Sequence, residues 1–364
     1  MIHVTKSYLP SLDRYIDKIK TIWENHWLTN HGPILDKLEL QLKRYLGTDK
    51  LLYTNNGTIV LQMALKALDI QGEVITTPFS YVATTNAILW EGCTPVFADI
   101  REDDFNIDVN KIEACITPNT KAILATHVFG NPCDVKALEA LSVRYKIPVI
   151  YDGAHAFGVQ YEGKSLLTYG DMSTCSFHAT KVFHTIEGGC IIAKDDEVYK
   201  KLYLYRQFGH HGDDYYQVGV NAKSSEFHAA MGLCVMEDLE EIIAARKLAS
   251  DTYNEYLDFS AIRKPQSSFD IQYNYAYYPI VFSSEEVLLA VKDALAAEQI
   301  FVRRYFYPSL NTLPFLKESS SCPISEEISK KIICLPLSTY LTREEIQTIC
   351  QIVNAVLQSH ASAQ

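Results

Sequence analysis

Between residues 51 and 193, short apolar runs alternate with segments of helical spacing, and this alternation restricts the fold more than any other property of the chain. Segments 51–54, 73–77, 95–98, 122–126, 148–152, 174–177 and 190–193 read as seven strands. Helical spacing fills 59–68, the stretch from Tyr81 to Glu91, and 134–145. Strand-helix alternation predicts an α/β fold: a seven-stranded, doubly wound, mostly parallel sheet with helices on both faces. Ligands in such sheets bind beyond the carboxyl ends of the strands. Asn56–Thr58, Tyr81 and Asp152 fall at such ends.

The flanking segments set the domain plan. Residues 7–46 form an arm with apolar residues at helical spacing (Tyr15, Ile16, Ile19, Ile22, Trp23). It breaks at WLTNHGP (27–33) and resumes as a helix over 34–46, closed by Gly47. A long helical stretch, 225–246, ends the first domain, 1–246. The second, 247–364, reads as a smaller α+β unit: strand 273–282, helix 284–298, strand 301–306 and a polar loop at 317–321. Its last helix, 342–358, is capped by Thr342 with Glu345 three residues on.

Composition excludes several classes. A net charge of −11 argues against a general nucleic-acid binder, which needs a basic face. No apolar run reaches the ~18–20 residues of a membrane span, and the N-terminus has no signal-peptide pattern. Nine cysteines without a CxxC pair predict reduced thiols in a cytoplasmic protein, with no disulfide and no metal site.

The chemistry concentrates in STCSFHATKVFHTIEGG (173–189). A strand ends near Ser176, a loop carries Lys181, and Gly188-Gly189 lead into the last strand. An earlier strand ends in Asp152 within DGAHAFG (152–158). On the residues alone, Lys181 is equally an ordinary loop lysine and Asp152 a turn-capping acid. Their convergence on one ligand would give an amine and a carboxylate, the pair that pyridoxal phosphate requires.

Both motifs resemble those of the DegT/StrS family of nucleotide-sugar aminotransferases, and the resemblance runs from the N-terminus to about Tyr340. It implies aminotransferase fold type I, pyridoxal 5′-phosphate as cofactor, and Lys181 as the Schiff-base lysine and proton shuttle. Asp152 would pair with the ring nitrogen, His155 with the phenolic oxygen, and Tyr81 would stack on the ring. Gly57, Thr58 and Ser176 would hold the phosphate. Asn221, in GVNAKSSE (219–226), would reach the phosphate in a partner subunit, which implies a homodimer with shared active sites. His31, Lys223, Arg303, Arg304 and Tyr305 are expected near the substrate, the last three in FVRRYFYP (301–308). His184 either touches substrate or packs. The motifs are most similar to those of enzymes that aminate C4 of TDP-4-keto-6-deoxyglucose with L-glutamate as donor, for surface-polysaccharide (O-antigen) synthesis. C3 amination, a UDP-linked 4-keto sugar and a non-catalytic cofactor-binding regulator are the alternatives. A sugar dehydratase of the same fold would carry histidine in place of Lys181.

Overall fold

The computed structural model describes residues 1–267, 269–317 and 320–362. Glu318 and Ser319, in the predicted polar loop, lie outside the described residues.

The seven expected strands form one sheet. They are β1 (Leu51–Thr54), β2 (Glu73–Thr76), β3 (Thr94–Phe97), β4 (Thr120–Thr126), β5 (Val149–Asp152), β6 (Met172–Ser176) and β7 (Gly189–Ala193). Their order is β1-β7-β6-β5-β4-β2-β3. Neighbours pair in parallel from β6 to β3, while β7 runs antiparallel to both β6 and β1. The period-2 geometry of a strand sorts the side chains. Ile75, Ile123, Tyr151 and Cys190 enter one core layer, and Val74, Leu124, Ile150 and Ile191 the other. Both faces are covered, which is why apolar residues dominate the strands.

Helices α1 (Leu12–Asn25) and α2 (Pro33–Leu46) form the arm. Helix α3 (Gly57–Ala67) follows β1, and α4 (Ala83–Trp90) follows β2. Gly47 closes α2 at φ 71°, a left-handed position that suits glycine. The smaller unit has a three-stranded antiparallel sheet with Tyr278–Phe282 between Ile262–Arg263 and Ile332–Leu335. Helices Glu285–Ala297 and Arg343–Ala361 supply its core, and the predicted Thr342–Glu345 capping box is present.

Three expectations need correction. The stretch 225–246 is two helices, Glu226–Glu237 and Leu239–Tyr256, broken at Asp238. The Asp238 carboxylate is engaged by Arg14 and by the Tyr8 hydroxyl of the arm. The second helix runs through the 246/247 limit, so that limit falls within a helix rather than a linker. Segment 301–306 is not a strand. Only Ile300–Phe301 finds a partner, Ile2–His3, and Arg303 makes a single bridge to Cys334 before the chain turns toward the sheet. All nine cysteines are free thiols. Among the described residues no helix is long and apolar enough to cross a membrane.

Candidate active site

The lysine loop is held at its base and by its apolar residues. The Phe177 N–H donates to Gly188 O at 2.8 Å, and the Thr185 N–H to Phe177 O at 2.9 Å. Phe177 and Phe183 pack edge to face at 4.8 Å, and Phe157 stacks on Phe183 at 4.5 Å. Gly188 fits because a Cβ there would lie 2.0 Å from Thr185 Oγ1. The loop therefore presents Lys181 from a packed base rather than from a free surface turn.

Lys181 opens into a cavity of about 270 Å³ at the carboxyl ends of the parallel strands. Asp152, the last residue of β5, lines the same cavity and is buried. Its Oδ2 accepts from the Thr84 hydroxyl at 2.8 Å and its Oδ1 from the Ala154 N–H at 3.1 Å. Burial pushes the Asp152 carboxyl above its ordinary range, with these bonds and the Lys181 charge acting against the shift. Burial also pushes the Lys181 amine below its ordinary range, and the Asp152 charge opposes that. The Lys181 Nζ lies 3.3 Å from the Tyr277 hydroxyl.

His155 completes the inner wall. The Phe129 N–H donates to its Nδ1 at 3.3 Å. Burial, reinforced by the Lys181 charge, holds its pKa well below the ordinary value. A neutral ring that accepts at Nδ1 carries its proton on Nε2, so His155 is a donor there. Phe306 stacks on the imidazole at 5.7 Å.

At the other end, α3 begins at Gly57 against Ser176. A Cβ on Gly57 would lie 2.6 Å from Ser176 Cβ and 2.8 Å from its Oγ, so the contact needs glycine. Thr58, Ser176 and Tyr81 all line the cavity. The N–H groups of Thr58 and Ile59 are taken by the Asn56 side chain at 2.9 and 2.8 Å. These two N–H groups are therefore engaged within the turn, and the Thr58 and Ser176 hydroxyls are the turn's polar side chains at the cavity.

The expected substrate residues divide. Arg303 and Tyr305 line the cavity, with the Arg303 guanidinium 4.8 Å from the centre of the Tyr305 ring. Burial raises the Tyr305 pKa to about 12, keeping its phenol neutral. Arg304 does not line it. Its guanidinium pairs with Glu285 at 2.7 Å, stacks on Tyr307 and bonds the Lys330 carbonyl at 3.1 Å, so its role is structural. His31, Lys223 and Asn221 also lie outside this chain's cavity. His31 sits 3.1 Å from Asp36, and Lys223 donates to Asn221 Oδ1 at 2.8 Å and covers Phe208. His184 packs: its Nδ1 accepts the Ile186 N–H, and its Nε2 meets Tyr8 O of the arm at 2.7 Å.

Sequence reasoning missed Tyr277, Thr84 and the cavity-lining Glu187, whose carboxylate is 3.7 Å from His178 Nε2. Glu187 was readable in the lysine loop. The other two approach from separate segments that only the fold brings together.

A loop-borne amine and a buried strand-end carboxylate in one cavity, beside a donor imidazole and a helix start, are the parts of an amine-transfer site on a type I aminotransferase fold. Comparison with known proteins agrees. The structure superposes on DesI, crystallised in the presence of its TDP-sugar product, with a TM-score of 0.93 at 26% identity, covering 100% of this chain and 94% of that one. A dTDP-4-amino-4,6-dideoxy-D-glucose transaminase of Shigella dysenteriae is 38% identical over 98% of this chain and 99% of its own. The Escherichia coli protein of the same name is 37% identical over 97% and 98%. The chain belongs to the DegT/DnrJ/EryC1/StrS aminotransferase family, which matches residues 12–354. It is a sugar aminotransferase.

Proposed function

We propose that this enzyme transfers the amino group of L-glutamate to C4 of dTDP-4-keto-6-deoxy-D-glucose, using pyridoxal 5′-phosphate. The product would be dTDP-4-amino-4,6-dideoxy-D-glucose, made in the cytoplasm for surface polysaccharide. The observation that carries this reading is the placement of the Lys181 amine and the Asp152 carboxylate in one cavity with the Gly57–Ser176 cradle. Similarity to the two transaminases over nearly the whole chain supports the choice of sugar.

The donor set fits the cofactor. A buried carboxylate whose pKa burial raises favours a cationic partner, which a pyridinium N–H supplies. The Gly57 cradle, which a Cβ would fill, suits a phosphate at a helix N-terminus. Once bound, pyridoxal phosphate supplies an aldehyde and an electron-withdrawing ring through which an amine is exchanged for a carbonyl. Asp152, its carboxylate fixed by Thr84 and Ala154, would hold the ring-nitrogen proton. His155, a donor at Nε2, would hold the phenolic oxygen. Lys181 Nζ would take and return the proton at the reacting carbon, and burial, which lowers its pKa, eases the loss of its own proton. Arg303 offers the substrate a guanidinium and Tyr305 an apolar face.

Asn221 is exposed, outside this chain's cavity, on a segment with exposed Phe208, Tyr215, Tyr216 and Val218. That pattern favours a homodimer in which each chain's Asn221 serves the other's cavity. The test is a product assay with pyridoxal phosphate, L-glutamate and the dTDP-linked 4-keto sugar, read by mass spectrometry and NMR. An amine at C4 is expected. An amine at C3, or turnover of UDP-linked sugars alone, would overturn the assigned substrate.

A further inference from the structure

Lys181 is a long, flexible side chain, and among the described residues its amine meets one hydrogen-bonding group, the Tyr277 hydroxyl at 3.3 Å. Tyr277 lies one residue before the strand Tyr278–Phe282, and its hydroxyl reaches Lys181 at the cavity wall. Its ring is fixed on two sides: His155 meets it edge to face at 4.8 Å, and Tyr305 packs against it at 5.4 Å. Two χ angles locked by aromatic neighbours leave the hydroxyl little freedom.

We propose that Tyr277 is the positioning residue for Lys181, holding the amine at a fixed point of the cavity whenever it is not attached to the cofactor. The inference rests on the amine-transfer reading of the site and names a residue that reading did not require. The phenol stays neutral, because burial drives its pKa far above the ordinary value. It accepts an N–H from the ammonium form of Lys181 and donates its O–H to the lone pair of the free amine. The first bond is charge-assisted and the stronger, so the hydroxyl holds the Lys181 pKa above the value that burial alone would set. The other groups facing the amine, Asp152, His155, Cys175, Tyr81 and Tyr305, are the same in the presence or absence of this hydroxyl.

The experiment compares wild type, Tyr277→Phe, and enzyme with 3,5-difluorotyrosine at position 277. In the cofactor-free protein, the pH dependence of Lys181 acetylation by acetic anhydride, read by peptide mass spectrometry, gives the amine pKa. Tyr277→Phe is expected to lower it, and so is the fluorinated residue, a weaker acceptor toward the ammonium and a stronger donor toward the free amine. In the loaded enzyme, stopped-flow conversion by glutamate should slow about 10-fold in Tyr277→Phe, with the glutamate concentration for half-maximal rate little changed and the rate partly restored by difluorotyrosine. An unchanged labelling profile in folded Tyr277→Phe, shown by circular dichroism, would overturn the proposal. Labelling that shifts as expected in a protein that neither binds the cofactor nor turns over would support the Tyr277–Lys181 link and remove the aminotransferase reading instead.

Discussion

The Thr84 hydroxyl donates to Asp152 Oδ2 at 2.8 Å, fixing a carboxylate that burial would rather see protonated. The sign of that shift makes a prediction. A carboxyl whose folded pKa lies above its unfolded one binds its proton more tightly in the folded state. Its charge therefore lowers stability as pH rises from the ordinary carboxylate range through the folded value, and the loss is complete above it. Asn at this position has no charge to bury and still accepts the Ala154 N–H. Cofactor-free Asp152→Asn is thus expected to melt at or above the wild-type temperature at pH 8, while turnover falls about 10²-fold or more. Calorimetry of the two apo proteins with a parallel rate assay checks both halves. A variant that melts lower and still turns over normally would show that Asp152 is structural.

Gly57 predicts a steric effect. Its missing Cβ is the space in which Ser176 sits, with Ser176 Cα at 3.0 Å from the position a Cβ would take. Overpacking of this kind costs about 1–3 kcal/mol, which corresponds to about 5- to 150-fold in Kd where the strain falls on the loaded form. Gly57→Ala should weaken pyridoxal phosphate binding within that range, measured by absorbance titration. The double variant Gly57→Ala/Ser176→Gly removes the opposing Cβ and should recover part of the loss. Equal affinities for all three proteins would mean that this turn is no phosphate cradle.

The sheet was legible because its central strands are buried on both faces and rich in apolar residues, so predicted and observed limits differ by no more than two residues. Asp152 was legible because it ends a strand of that sheet, and Lys181 because it lies on the loop between two of its strands. Tyr277 was not: it lies among Tyr273, Tyr275 and Tyr278, and no spacing sets it apart. Segment 301–306 misled because its aromatics are apolar for a different reason. Phe306 and Tyr305 pack against His155 and Tyr277 at the cavity wall rather than in a sheet. The break at Asp238 was hidden because its partners, Tyr8 and Arg14, lie more than 200 residues earlier.

The two arginines of RRY should separate cleanly. Arg303 lines the cavity and is exposed, whereas Arg304 is held by Glu285, Tyr307 and the carbonyl end of the helix Pro323–Lys331. A charge-assisted hydrogen bond contributes about 1.5–3 kcal/mol, so Arg303→Ala should raise the KM for the nucleotide sugar roughly 10- to 150-fold with little change in melting temperature. Arg304→Ala should do the reverse, lowering the melting temperature while the KM stays near wild type. Steady-state kinetics and thermal melts on both variants decide it; an equal rise in KM would return Arg304 to the substrate site.

Glu226 shows how the arm is tied to the large domain. Helix α2 starts at Gly32-Pro33, which offers no capping side chain, yet its first free N–H groups are buried. The Glu226 carboxylate, fully buried, accepts them both: Ile34 at 2.9 Å and Leu35 at 2.8 Å. It also occupies the first turn of its own helix, so one negative charge serves two positive helix ends. The fit is close, since a Cβ on Gly32 would lie 2.5 Å from Glu226 Cδ. Glu226→Ala leaves two buried N–H groups without acceptors, at about 1–3 kcal/mol each, and should lower the urea midpoint strongly. Glu226→Gln keeps one acceptor oxygen but loses the charge and turns an N–H₂ toward a backbone donor, so it should fall between. Because Glu226 does not reach the cavity, pyridoxal phosphate affinity of the folded fraction should stay within about 2-fold of wild type, well under the tenfold that 1.4 kcal/mol represents. Affinity that falls in step with stability would show instead that α2 and the cofactor site form a single cooperative unit.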